Sequence, residues 1–148
     1  MAKTDIAAEW LREKTGSAKW KPGKSTTALG KHFRNRAKRP SVKEFVEGKR
    51  NMRADHCIFV PKAVKDRPST VRFCDRTISA ARYMALLTFG TPAEEDDEVR
   101  HLCGNGHLSC VNPKHLAWGS RSDNVRDMVL HRSANTVADK LAVIADRG

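Results

Sequence analysis

The sequence is poor in aromatic residues, at 6% with a single tyrosine, and it holds no long apolar run. With 39% apolar content over 148 residues, it can build one compact domain whose core is small enough to gain from a structural metal. A membrane-spanning helix needs roughly 20 consecutive apolar residues, and nothing here approaches that. The opening M-A-K-T-D-I-A-A-E-W also lacks the apolar stretch of a signal peptide. The expectation is therefore a cytoplasmic protein, with the nucleus left open and no membrane partner. Gly23, Lys24 and Ser25 look like the end of a phosphate-binding loop, but the position five residues earlier is Ala18 instead of glycine. No buried strand precedes it either, which excludes a P-loop ATPase. Four cysteines in a reducing compartment are ligands or core residues rather than disulfides.

Acidic residues are few where basic ones are dense. Of the net charge of +11, residues 19–53 carry 12 Lys/Arg against Glu44 and Glu47, or +10, while residues 1–18 balance and residues 54–148 add +1. A block this basic fits a polyanion, most often nucleic acid. Within it, residues 25–37 read as a helix with Leu29 and Phe33 on the buried side and Lys31, Arg34 and Arg36 on the wet side, followed by Lys38 and Arg39. These cations, with Arg121 farther on, are the expected DNA contacts, made to phosphates, which need no particular geometry.

The remaining elements follow from periodicity and caps. A short helix is expected over residues 4–14, and another after Ser41, whose spacing to Glu44 is that of a capping box, ending at Gly48. Strands are expected over residues 56–60 and 70–74, joined as a hairpin, then an apolar helix over residues 78–89. Residues 94–98 read as a solvated acidic connector. Strands over residues 99–102 and 116–119 flank a loop. Ser120 or Ser122 then caps a helix reaching about residue 130, with Val125, Met128 and Val129 as its buried side. A tail helix is expected over residues 134–144. The domain plan is a basic helical extension over residues 1–53, a core over residues 54–132 and a tail over residues 133–148.

The chemistry concentrates in R-H-L-C-G-N-G-H-L-S-C-V-N-P-K-H-L-A-W-G-S-R-S-D-N-V-R-D-M, residues 100–128. Cys103, Cys110 and His115 have the types and spacing of a zinc knuckle. His101, with an ordinary imidazole pKa, can take a proton from water, and Asn124 offers a hard amide oxygen at the other end of the stretch.

This pattern resembles the His-Cys box homing endonucleases, a branch of the HNH or ββα-metal nuclease superfamily, and HNH proteins carried by phages. The matching segments are H-L-C, then C-V-N-P-K-H-L, a following tryptophan and the D-N pair opening the helix. Upstream, H-C-I-F-V-P and R-T-I also match, so the likeness spans about residues 55–130. It implies an α+β, ββα-metal core with a structural Zn²⁺ held by Cys57, Cys103, Cys110 and His115. Cys74 is the rival for the fourth place and His107 a substitute ligand. The likeness also implies His101 as general base, Asn124 as the single protein ligand of a catalytic Mg²⁺, and Arg76 as the cation on the scissile phosphate. For His101 the alternative is a zinc ligand one position out of register.

Two departures stand out. Many HNH enzymes carry an aspartate just before the base, where this chain has Arg100, and no cysteine follows Cys110 to build a second zinc site. The main ground for a tail-mediated homodimer is thereby removed, and a homodimer of another kind stays open. The expected function is hydrolysis of double-stranded DNA to 5′-phosphate and 3′-hydroxyl ends, of homing type. The alternatives are a zinc-stabilised DNA-binding protein without cleavage and a phage DNA-processing nuclease of low specificity.

Overall fold

The computed structural model describes residues 40–61, 63, 64 and 66–146. The helices expected over residues 4–14 and 25–37 lie outside the described residues, as do Lys31, Arg34, Arg36, Lys38 and Arg39. In chain order the elements are α1 (Val42–Lys49), β1 (Thr70–Phe73), β2 (Arg76–Ser79), α2 (Ala80–Phe89), β3 (Glu98–His101), β4 (Leu116–Gly119), α3 (Arg121–His131) and α4 (Val137–Ala145). Single 3₁₀ turns, Gly106–Leu108 and Pro113–His115, lie between β3 and β4. The protein is mixed α+β, with two separate antiparallel pairs, β1 with β2 and β3 with β4. No helix among the described residues is long and apolar enough to cross a membrane.

Helix α2 organises the core because it is apolar nearly all round. Ala80, Ala81, Tyr83, Met84, Ala85, Leu86 and Leu87 are all buried, as expected of a helix with neighbours on several sides. It touches α1 and both hairpins. Ser79, whose side chain accepts from the backbone N–H of Arg82, caps it, so the helix starts two residues later than its apolar pattern suggests. Ile78 belongs instead to β2, opposite Val71. The Tyr83 hydroxyl donates to Glu47 Oε1 at 2.5 Å, tying α2 to α1, and its ring lies 5.1 Å from that of Phe73. The capping box of α1 forms as its spacing predicts. Ser41 Oγ accepts from Glu44 N at 3.2 Å, while Ser41 N donates to Glu44 Oε2 at 2.7 Å.

The expected hairpin between residues 56–60 and 70–74 does not form. Cys74 and Asp75, at φ +47° and +61°, make a two-residue turn that pairs Phe73 with Arg76, so β1 finds its partner within a few residues. Closing so short a loop costs less chain entropy than pairing across the longer one. Residues 56–60 are held otherwise. Val111 N donates to Ile58 O at 2.8 Å and Val60 N to Ser109 O at 3.3 Å, with one bridge between Phe59 and Cys110.

Candidate metal centre and adjoining cleft

The β3–β4 hairpin is opened by the residues between its strands. Gly104, at φ +70°, turns the chain straight after Cys103, and Asn112 caps the turn Pro113–His115 by accepting from Lys114 N at 3.0 Å. The Asn112 Nδ2 donates at 2.7 Å to both Ala54 O and His56 O, which lashes the Cys57 segment to this loop. Asn112 is fully buried.

These contacts bring four distant residues together. The ligand atoms of Cys57, Cys103, Cys110 and His115 all lie within 4.8 Å of one another, and the last three residues are buried. His115 Nδ1 is 3.5 Å from Cys57 Sγ and 3.8 Å from Cys110 Sγ. A tetrahedral zinc, with bonds of about 2.3 Å to sulfur and about 2.0 Å to nitrogen, separates such atoms by about 3.6 Å, so the donor set fits that ion in type, number and spacing. The other His115 nitrogen, Nε2, donates to Asp55 O at 3.1 Å, which leaves Nδ1 with its lone pair toward the sulfurs. Asn105 Nδ2 donates to Cys57 Sγ at 3.2 Å, a contact that stabilises a thiolate.

The sulfurs shift one another: the neighbouring Cys110 drives the Cys103 thiol well above its usual range, and Cys103 in turn pulls Cys110 down to about 5. Burial pushes Cys57 up as well. Three sulfurs sharing protons at this spacing are the arrangement that a divalent cation relieves. Cys74, the rival for the fourth place, sits in the β1–β2 turn and is not part of the cluster.

Beside the cluster lies a cleft of about 270 Å³, bounded by the loop after β3 and by α3, onto which His101, His107, Asn124, Asp127, Met128 and His131 open. The His101 Nε2 sits 3.2 Å from Cys110 O, to which it donates, so the acceptor nitrogen is Nδ1. A Cβ on Gly106 would lie 2.8 Å from that Nδ1, so only glycine leaves the ring its place. Burial holds the imidazole below its ordinary pKa, with the neutral form favoured. Asn124, in the first turn of α3, donates through Nδ2 to Glu98 Oε2 at 3.1 Å. That bond fixes the amide and frees Oδ1 for another partner.

Comparison of the chain with protein-family models, with curated proteins and with solved structures gives no match.

His101 and Asn124 thus open on one cleft, and the four cysteine and histidine ligands form one cluster. Arg76, the remaining catalytic candidate, is exposed at the start of β2 and does not line the cleft. Arg121 is exposed and lies 3.5 Å from Glu98 Oε1. His107, the substitute ligand, is exposed, lines the cleft and is not part of the cluster.

Two expectations are corrected. Glu98 is no mere connector, since it begins β3 and bonds Asn124. Val125, Met128 and Val129 are not a buried face, being 50%, 50% and 56% exposed. The side of α3 that meets β3 is polar instead, carrying Asn124, Asp127 and His131. Sequence reasoning also passed over Arg82, whose guanidinium lies 5.3 Å from the Trp118 ring centre and feels the charge of Glu98. An arginine's stacking partner leaves no trace in local spacing.

Proposed function

We propose that the chain is a metal-dependent DNA endonuclease of the HNH or His-Cys box type, with β3, β4 and α3 as a ββα-metal core and zinc in the Cys₃His cluster. The observation that carries this reading is the pairing, on one cleft, of a histidine whose Nε2 is tied to a backbone carbonyl with an asparagine whose Nδ2 is tied to Glu98.

In this reading His101 Nδ1 takes a proton from a water molecule, whose oxygen attacks the phosphorus of a DNA phosphodiester. The new P–O bond forms as the bond to the 3′ oxygen breaks. That oxygen leaves with a proton from solvent, giving 5′-phosphate and 3′-hydroxyl ends. Asn124 Oδ1 would hold a Mg²⁺, an ion that keeps several waters and needs few protein ligands, and bound there it would supply positive charge to offset that on the leaving oxygen. Glu98, by accepting from Asn124 Nδ2, would hold that amide in place. Arg76, exposed on β2 and outside the cleft lining, would contact a phosphate of the bound DNA, and the basic residues before Ala54 would hold the duplex.

The test is incubation of the purified protein with supercoiled plasmid and phage DNA, with Mg²⁺ or with EDTA, beside His101→Ala. Cutting is expected only with Mg²⁺, and it should be lost in the variant while a gel shift shows DNA still bound. If wild type and variant bind DNA but are equally inert on every substrate, the zinc-stabilised DNA-binding protein replaces this reading.

A further inference from the structure

We propose that Arg100 and Asp127 form a positioning brace that sets the spacing of His101 from Asn124 across the cleft. The inference rests on the nuclease reading, whose two central groups these residues flank. Arg100 directly precedes His101 on β3, and Asp127 lies one helical turn beyond Asn124 on α3.

Three ties register α3 on the strand and its continuation. Glu98 meets Asn124 at 3.1 Å, Arg100 meets Asp127, and His131 Nε2 donates to Leu102 O at 2.9 Å. The middle tie is the stiffest of them. Arg100 Nε donates to Asp127 Oδ2 and its terminal nitrogen to Oδ1, both at 2.7 Å, in the parallel two-bond geometry that fixes angle as well as distance. Asp127 is 3% exposed, so water does not compete for it. The pairs Lys114–Asp55, Arg121–Glu98 and Arg126–Asp123 are all more exposed.

The neighbouring strand is shaped to admit the arginine. A Cβ on Gly119 of β4 would lie 2.5 Å from Arg100 Cδ, inside any tolerable contact, so the glycine leaves a slot for the arginine stem. The residue at position 100 is therefore committed to the helix and is not a ligand for an ion in the cleft. Where a metal-ligating aspartate would stand, this chain has half of a strut. On the nuclease reading an ion in the cleft would have Asn124 as its one protein ligand, so the placement of Asn124 relative to the base is what the fold must control.

The experiment compares wild type, Arg100→Lys, Asp127→Asn and the double variant R100M/D127L, each checked for zinc content and thermal midpoint. Lysine keeps the charge but not the two-bond fork, and Asn keeps the shape but not the charge. Both are expected to lower kcat about tenfold to a hundredfold with little change in KM for DNA, and to raise the Mg²⁺ concentration needed for half-maximal rate. The double variant leaves no charge buried alone, so its thermal midpoint should recover toward wild type while kcat stays low. Recovery of kcat together with stability would reduce the pair to packing and overturn the inference. So would single variants that cut as wild type does, an outcome that leaves the nuclease reading intact. A wild type that cuts no DNA removes that reading, and the positioning role with it.

Discussion

Asn112 is uncharged and has no proton to offer catalysis, yet its amide joins three backbone groups from two segments: Ala54 O, His56 O and Lys114 N. Replacing it with alanine removes the lashing that holds Cys57 beside Cys110 and His115, and leaves two carbonyls short of a donor. Asn112→Ala is expected to cost about 2 kcal/mol in urea denaturation, and to weaken zinc retention against a chromogenic chelator. Unchanged zinc retention would mean that Cys57 is held by other contacts. Residues such as Cys103, Cys110 and His115 were legible in the sequence because soft ligands are few and their local spacing is telling. Glu98 and Asp127 were not. A carboxylate's role depends on which side chain faces it, and the partners of these two are 26 and 27 positions away.

At the scale of elements, α3 carries the sharpest difference between pattern and structure. Val125, Met128 and Val129 have the i, i+3, i+4 spacing of a helix face, and they do share one, but spacing does not say which face is covered. Three polar ties to β3 and its continuation decide it, with Asn124, Asp127 and His131 turned to the strand. The double variant Met128→Gln, Val129→Gln is therefore expected to change unfolding free energy by no more than about 0.5 kcal/mol. A loss several times larger, measured by urea titration, would place these side chains in a core. The caps were the most legible feature at this scale. The box expected at Ser41–Glu44 forms, since it needs only two residues three apart, and of the two caps open for α3, Ser120 and Ser122, it is Ser120 that caps the helix. Strand pairing was the least legible. Which strand takes β1 was settled by two positive φ values at Cys74 and Asp75, neither of which is a glycine that would have advertised the turn.

For the whole molecule the uneven charge matters more than its sum. Residues 19–53 carry net +10, while residues 54–148, which hold the metal cluster and the cleft, are close to neutral at +1. On the proposed nuclease reading, attraction to DNA would then reside largely outside the site that would cut it, and the two could be separated. Replacing Lys31, Arg34, Arg36, Lys38 and Arg39 with alanine is expected to lower the slope of log K against log salt by up to about 4.5, at roughly 0.9 for each phosphate that the protein no longer neutralises. Zinc content should be unchanged. An unaltered slope, in fluorescence-anisotropy titrations at several salt concentrations, would put DNA binding on other residues. The most direct test of the division between a permanent structural ion and a transient catalytic one is plasmid cleavage followed as Mg²⁺ is dialysed away and returned, with bound zinc counted at each step by atomic emission. Cutting should stop and resume with Mg²⁺ while one zinc per chain stays bound throughout, and His101→Ala, holding the same zinc, should cut at no step. Cutting that persists without Mg²⁺, or a zinc-loaded His101→Ala that cuts as wild type does, would contradict the account.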